Sequence, residues 1–146
     1  MMAVQRRIGY WLVELDRLIN ERFDEDLAAG ELSRRHWQIL HSLADGPQQA
    51  DEVRAALDTF LRDPADWTDE LTALLDRGLV VADVDLLALT DAGRAIHDAA
   101  WLRIGARRRQ MADGISDEQF AETLRVLEKM AINMSGGPSA APVRIS

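Results

Sequence analysis

The side chains best suited to chemistry in this chain are three histidines, many carboxylates and a few hydroxyls. His36 and His41 are five positions apart, which turns them away from a common helix face, and the chain has no cysteine. The sequence contains no His-Glu-x-x-His motif and no Gly-rich phosphate loop. Most serines fall at expected helix caps or in the C-terminal tail, away from a base that could activate them. We therefore expect no catalytic residue, no metal site and no cofactor.

Recognition of a nucleic acid is a second kind of chemistry, and it needs hydroxyl or basic side chains on an exposed helix face. Thr68 and Thr72 lie one turn apart on the outward face of a predicted helix. They can contact base edges or phosphates, or they can simply be solvated. The other candidates for DNA contacts are Arg34, Arg35, Arg54, Arg62 and Asp69. Each arginine can hold a phosphate or instead pair with a neighbouring acid.

Aromatic side chains suggest a third site, for a small planar ligand. Trp11, Trp37 and Trp101 can line a pocket between helices. His41 follows Trp37 by four residues, shares its helix face, and can hydrogen-bond a ligand carboxylate or phenol. The alternative is that the tryptophans pack in the core and that His41 is structural, which is the commoner outcome for such residues.

The elements that position these residues are centred on residues 63–90. Pro64 favours a helix start, apolar residues follow at helical spacing, and Gly78 ends the helix. Two short apolar runs around residues 83–85 then predict a hairpin, and Thr90 caps the next helix. A helix, a hairpin and a helix are the closing elements of a winged helix-turn-helix, whose recognition helix enters a DNA groove.

Further helices are predicted on both sides of this segment. They are Val4 to about Leu27, a helix capped by Ser33, Gln49 to Leu61, Thr90 to about Met111, and a last helix opened by a capping box of Ser116 and Gln119. The predicted fold class is mainly α with a small β-hairpin wing. It combines a winged helix-turn-helix with a helical dimerisation layer.

The two chain ends carry apolar stripes that are too wide to stand alone in water. Residues 1–31 and 90–134 are therefore assigned to a helical dimerisation region, and residues 32–89 to a winged helix-turn-helix DNA-binding region. Residues 135–146 are interpreted as a flexible tail. The predicted interface of the homodimer contains Ile8, Trp11, Leu12, Leu124, Leu127, Ala131 and Met134.

Composition bounds the setting and the partners of the protein. The 146 residues are 47% hydrophobic, contain no cysteine and include no apolar run of membrane-spanning length, so we expect a cytoplasmic protein without a membrane partner. The net charge is −8. From Leu32 to Thr90, five arginines minus eleven acidic residues give −6. This region should therefore bind generic DNA weakly, because duplex affinity comes mostly from neutralised phosphates.

Three segments resemble the MarR family of bacterial transcriptional regulators. They are LSRRHWQILHSLADGP at Leu32 to Pro47, LTALLDRGLV at Leu71 to Val80, and LALTDAGR at Leu87 to Arg94. The order of elements is also similar, and the likeness covers about Val4 to Met134. The resemblance implies a homodimer that binds palindromic double-stranded operator DNA, often at its own promoter. It also implies that a small aromatic ligand, commonly a phenol, weakens this binding.

The chain departs from the family at the surface that should meet DNA. The typical wing carries an Asp-x-Arg element whose arginine reaches the minor groove, whereas residues 83–85 read Asp-Val-Asp. Two hypotheses follow. The protein is a MarR-type regulator with weak or atypical DNA affinity, or it is a MarR-like dimer that has lost DNA binding and serves as a small-ligand or protein-binding module.

Overall fold

The computed structural model describes residues 6–57 and 64–136, and the chain divides into two compact units, Met1–Ala106 and Arg107–Ser146. The elements are α1 (Ile8–Ala28), α2 (Arg34–Ser42), β1 (Gln48–Gln49), α3 (Ala50–Leu57), α4 (Pro64–Asp76), β2 (Val80–Asp83), β3 (Leu86–Leu89), α5 (Asp91–Met111) and α6 (Asp117–Met134). The prediction of a mainly α fold with a small β-hairpin is therefore confirmed. None of the helices in the described part of the chain is long and apolar enough to span a lipid bilayer.

Helix starts follow local side-chain chemistry. The Ser33 hydroxyl accepts from the His36 backbone N–H at 3.1 Å, and His36 Nδ1 accepts from the Ser33 N–H at 3.1 Å. Ser116 and Gln119 form the predicted reciprocal box at the start of α6. The first helix begins at Ile8 rather than at Val4, and the residue before it, Arg7, offers no side-chain cap. Residues 1–5 lie outside the described part of the chain.

The sheet has three antiparallel strands in the order β1-β3-β2, with one more strand than the sequence predicts. Gln48 pairs with Leu87 and Gln49 with Leu86, so the predicted third helix starts one residue late, at Ala50. The edge of β3 supplies this pairing, and the Ala50 N–H donates to the Asp85 carbonyl at 2.7 Å. A partner so distant in sequence leaves no trace in the local pattern of residues 48–49. The predicted end of this helix at Leu61 lies outside the described residues.

A single apolar core fills the first unit. Its seven largest fully buried side chains are Leu27, Ile39, Leu40, Leu43, Val53, Leu74 and Leu87. Trp37, Trp67 and Leu79 join the same cluster. Helices α1 to α4, the sheet and α5 all contribute, so the recognition-type helix α4 is anchored by its inner face.

The tip of the hairpin is strained at Val84. Its φ is 55° and its side chain is 90% exposed. A β-branched residue in this left-handed region is an outlier, at a cost of about 1–2 kcal/mol. We expect Val84→Asn to raise the free energy of unfolding by about 1 kcal/mol, because asparagine tolerates positive φ.

Thermal unfolding followed by circular dichroism checks this expectation. Val81→Asn is the matched control, since Val81 is 53% exposed within strand β2 and favours the extended conformation there. The control should lower the melting temperature. A lower melting temperature for Val84→Asn as well would contradict the strain argument.

Candidate nucleic-acid interface and ring cluster

The hairpin and its two flanking helices are joined at one junction, formed by Gly78, Leu79, Thr90 and Gly93. The Thr90 hydroxyl donates to the Gly78 carbonyl at 2.6 Å and accepts from the Gly93 N–H at 3.0 Å. The Thr90 N–H donates to the Leu79 carbonyl at 3.1 Å. Gly78 has a φ of 71°, which suits a residue without Cβ after a helix end. The two sequence segments RGLV and LT-x-x-G therefore meet in space and fix the wing against α4 and α5.

Helix α4 presents its polar face outward, as predicted. Thr68, Asp69 and Thr72 are exposed, while Trp67 and Leu74 on the other side are 7% and 0% exposed. The hairpin tip beside it exposes Asp83 and Asp85. A helix and a hairpin exposed in this order form the pair of elements that a winged helix inserts into adjoining grooves of DNA.

Side chains of Ser33, His36 and Arg77 tie α4 to the α1–α2 region. The Ser33 hydroxyl donates to Glu70 Oε2 at 3.3 Å. His36 Nε2 of α2 lies 2.5 Å from Glu70 Oε2 of α4, although without the angles of a well-formed hydrogen bond. The Arg77 guanidinium, just after α4, donates to the Glu31 carbonyl at 2.7 Å and to the Gly30 carbonyl at 3.3 Å. These contacts fix the orientation of α4 and use Arg77 as a structural residue.

Burial lowers the pKa of His36 below its usual value of 6.5, the Glu70 carboxylate opposes this by raising it, and Arg77 adds to the lowering. Between the folded and unfolded pKa values the unfolded chain binds more protons. The contribution of His36 to the free energy of unfolding is therefore complete above pH 6.5. It is lost as the pH falls from 6.5 through the lowered pKa that His36 has in the folded protein.

We expect His36→Gln to reduce the loss of stability on acidification. Glutamine keeps the capping-box acceptor at this helix position but does not titrate. Urea unfolding at about pH 7.5 and about pH 5.5 measures the difference for the variant and the wild type. An equal loss in both proteins would show that His36 makes no contribution to acid sensitivity.

The predicted arginines differ in what holds them. Arg34 is drawn toward α1, where Nε donates to Asp24 Oδ1 at 2.7 Å and Nη2 donates to the Asn20 side-chain oxygen at 3.1 Å. Arg35 Nη1 donates to Gln38 Oε1 at 3.1 Å within its own helix. Arg54 is exposed on α3. Arg62 lies outside the described residues.

Four nearly parallel rings form a second feature, here called the ring cluster: Trp37 and His41 of α2, and His97 and Trp101 of α5. Trp37 lies 5.0 Å from His41 and 4.9 Å from His97 between ring centroids, and His41 lies 5.0 Å from Trp101. The interplanar angles of these three pairs are 15°, 4° and 20°. The cluster brings together three of the four predicted ligand-binding residues and adds His97.

A hydrogen-bonded chain runs through the ring cluster. His41 Nδ1 and His97 Nε2 are 3.0 Å apart, and His97 Nδ1 is 2.9 Å from Asp98 Oδ1. His97 is 5% exposed. Sequence reasoning missed His97, although its spacing of four from Trp101 repeats the Trp37 to His41 spacing on α2.

Trp11 of α1 is not one of the four rings of the cluster. Its indole packs edge-to-face on Tyr10 at 5.1 Å and is 56% exposed.

The histidines, aspartates and glutamates of residues 6–57 and 64–136 do not gather in groups of three or more suited to a metal ion.

Each unit exposes an apolar helix face that contains the predicted dimer residues. On α1, Ile8, Trp11 and Leu12 are 52%, 56% and 45% exposed. On α6, Leu124 and Met134 are 48% and 89% exposed, while Leu127 and Ala131 are half-buried. Exposed large apolar side chains in such stripes are typical of surfaces that another protein chain covers.

Solved structures of other proteins are similar to this chain over most of its length. The MarR-family protein Rv2887 of Mycobacterium tuberculosis, solved in complex with DNA, gives a TM-score of 0.65 at 22% identity and covers 86% of this chain and 98% of its own. CouR from Rhodococcus jostii RHA1, solved with p-coumaroyl-CoA, gives a TM-score of 0.64 at 23% identity. The similarity covers 97% of this chain and 99% of CouR. MepR, a transcription regulator of the Staphylococcus aureus multidrug efflux pump MepA, gives a TM-score of 0.70 at 15% identity. The similarity covers 88% of this chain and 99% of MepR.

No protein-family profile and no curated protein sequence matches the chain, so the likeness lies in three-dimensional structure. The similarity covers 98–99% of these three proteins, so it extends over almost their whole length. The chain therefore has the winged helix-turn-helix fold of the MarR family of transcriptional regulators.

Proposed function

We propose that this protein is a dimeric, ligand-responsive transcriptional regulator that reads operator DNA with α4 and has low affinity for generic DNA. The single observation that carries the proposal is the exposed polar face of α4, with Thr68 and Thr72, held beside an exposed wing. The fold supports a regulator rather than an enzyme, since a relative of this fold was solved on DNA.

The electrostatics of the described residues support low generic affinity. Asp69, Asp83 and Asp85 are exposed around the reading surface, where they repel phosphates. Arg34 must leave Asp24 and Asn20 before it can hold a phosphate. Arg35, Arg54 and Arg62 remain the proposed phosphate contacts, so specificity would depend on the two threonines at base edges.

We propose the ring cluster as the place where a small aromatic ligand acts. Trp37, His41 and Trp101 are held in parallel between α2 and α5, and an aromatic ligand can extend such a stack. A relative of this fold was solved with p-coumaroyl-CoA, which carries an aromatic acyl group. Trp11, exposed on α1, belongs in this proposal to the dimer face instead.

A mobility shift with the protein's own upstream DNA tests the proposal. Thr68→Ala combined with Thr72→Ala should weaken specific binding about thirtyfold, if each threonine gives one hydrogen bond of about 1 kcal/mol. Thr123→Ala on the exposed face of α6 is the matched control and should leave affinity unchanged. Unchanged affinity in the double variant would contradict reading by α4.

The alternative function is a dimer that has lost DNA binding and responds to a ligand or a protein. The arginine-free wing and the engaged Arg34 favour it. No shift at low salt, together with quenching of tryptophan fluorescence by aromatic carboxylates, would establish the alternative. Low salt is the decisive condition, because the electrostatic part of DNA binding is strongest there. Neither proposed function predicts a mobility shift that is seen only at higher salt.

A further inference from the structure

The ring cluster contains two imidazoles, His41 and His97, that are joined by one hydrogen bond. The Asp98 carboxylate can only accept, so the proton on the ring of neutral His97 lies on Nδ1. The other nitrogen, Nε2, then has a lone pair and accepts from His41 Nδ1 at 3.0 Å. The chain of hydrogen bonds thus runs in one direction, from His41 through His97 to Asp98, and it joins α2 to α5.

Adding protons to this pair has two different results. A first proton can bind His41 Nε2, because the Nδ1–H of that ring still donates to His97 and the bond becomes charge-assisted. The cation also stacks on Trp37 and Trp101, whose faces attract positive charge. A second proton must bind His97 Nε2. Two N–H groups and two positive charges would then face each other across 3.0 Å, which breaks the bridge.

Within residues 6–57 and 64–136, the charged groups near the pair lie on α5, after α2 and on the α1 side. Asp98 on α5 accepts from His97 but is 61% exposed, so its charge is screened by solvent. Arg94, one turn earlier on α5, donates to the Ala44 carbonyl after α2 at 3.2 Å and adds positive charge on that side. On the α1 side, Arg103 of α5 donates to the backbone carbonyl of buried Asp26 at 2.9 Å. Asp45 follows α2 in the exposed turn.

We propose that the His41–His97 pair is a proton-operated connection between α2 and α5. It holds the two helices together while both rings are neutral or only one is positively charged. It releases them when both rings are charged. Because α2 also contacts α4 through His36 and Glu70, the release reaches the helix proposed to read DNA. The connection itself can be tested without DNA, and so independently of the proposed function.

Nuclear magnetic resonance of the imidazole nitrogens in the full chain tests the proposal, since there are only three histidines to assign. Near neutral pH we expect both His41 and His97 to carry the proton on Nδ1. On acidification the two rings should titrate in separate steps, and the second step should coincide with a change in the emission of the stacked tryptophans. One common step for both rings, or a His97 proton on Nε2 at neutral pH, would overturn the proposal.

Variants separate the bridge from a merely structural histidine. His41→Gln removes an exposed ring and should leave His97 with a single titration step and no late change in emission. Asp98→Ala removes the acceptor and should weaken the preference for the Nδ1–H form of His97, whereas Asp91→Ala, an exposed change at the start of the same helix, should not. His36→Gln removes the third histidine from the spectra and should leave the two-step pattern intact. Retention of the full Nδ1–H preference in Asp98→Ala would contradict the assigned direction of the hydrogen-bonded chain.

Discussion

Replacing Gly93 with alanine is expected to prevent stable folding of the winged-helix unit. A Cβ at this position would lie 1.9 Å from the Leu79 carbonyl oxygen and 2.8 Å from its carbon. These are backbone atoms, so no side-chain rotation relieves the clash. The same carbonyl accepts from the Thr90 N–H at 3.1 Å, so a shift of Leu79 breaks the junction as well. We expect a loss of about 3 kcal/mol or more, a large part of a typical total of about 5–15 kcal/mol.

Gly9→Ala provides the matched control for this prediction. Gly9 also lies near the start of a helix, but a Cβ there would meet no atom within 4 Å. Alanine should therefore stabilise α1 by up to about 1 kcal/mol. Urea unfolding followed by far-ultraviolet circular dichroism compares the two variants. Equal midpoints would contradict the close contact between α5 and the start of the wing.

Leu12→Glu is expected to dissociate the proposed dimer and to abolish operator binding. Leu12 is 45% exposed in the centre of the apolar face of α1, between Ile8 and Leu15. A second chain covering this face would bury the new carboxylate without a partner, at a cost of about 3–5 kcal/mol. That corresponds to a dimer dissociation constant raised by more than about a hundredfold. Analytical ultracentrifugation over a concentration series measures it, and a mobility shift measures the loss of DNA binding.

Val13→Glu is the control for the dimer prediction. Val13 is adjacent in sequence and 71% exposed, but the turn of the helix places it away from the stripe of Ile8, Leu12 and Ile19. It should remain dimeric and bind DNA like the wild type. A Leu12→Glu protein that sediments as a dimer would exclude α1 as the dimer face and leave α6 to be tested in the same way.

Features set by neighbouring residues could be predicted from the sequence. The cap by Ser33 and the capping box of Ser116 and Gln119 depend on residues three positions apart. The hairpin around residues 83–85 pairs residues no more than nine positions apart. The outward position of Thr68 and Thr72 follows from the same helical periodicity. The fold class could therefore be predicted before any coordinates.

Features that depend on distant partners could not be predicted in this way. Strand β1 exists because β3, almost forty residues later, offers a free edge. Arg34 was a candidate phosphate contact, yet its guanidinium is held by Asp24 of α1. His97 joins the ring cluster only because α5 crosses α2 at that point. Periodicity gives the face of a helix but not the identity of what covers it.

The junction of Gly78, Leu79, Thr90 and Gly93 makes the wing an extension of α5. The backbones touch there without an intervening side chain, so the hairpin cannot pivot independently of that helix. A rotation of α5 about its long axis would move the hairpin with it. Because the tip lies away from that axis, a small rotation would move the tip along an arc. A signal delivered to α5 within residues 91–106 would then reach the hairpin tip as a sideways displacement.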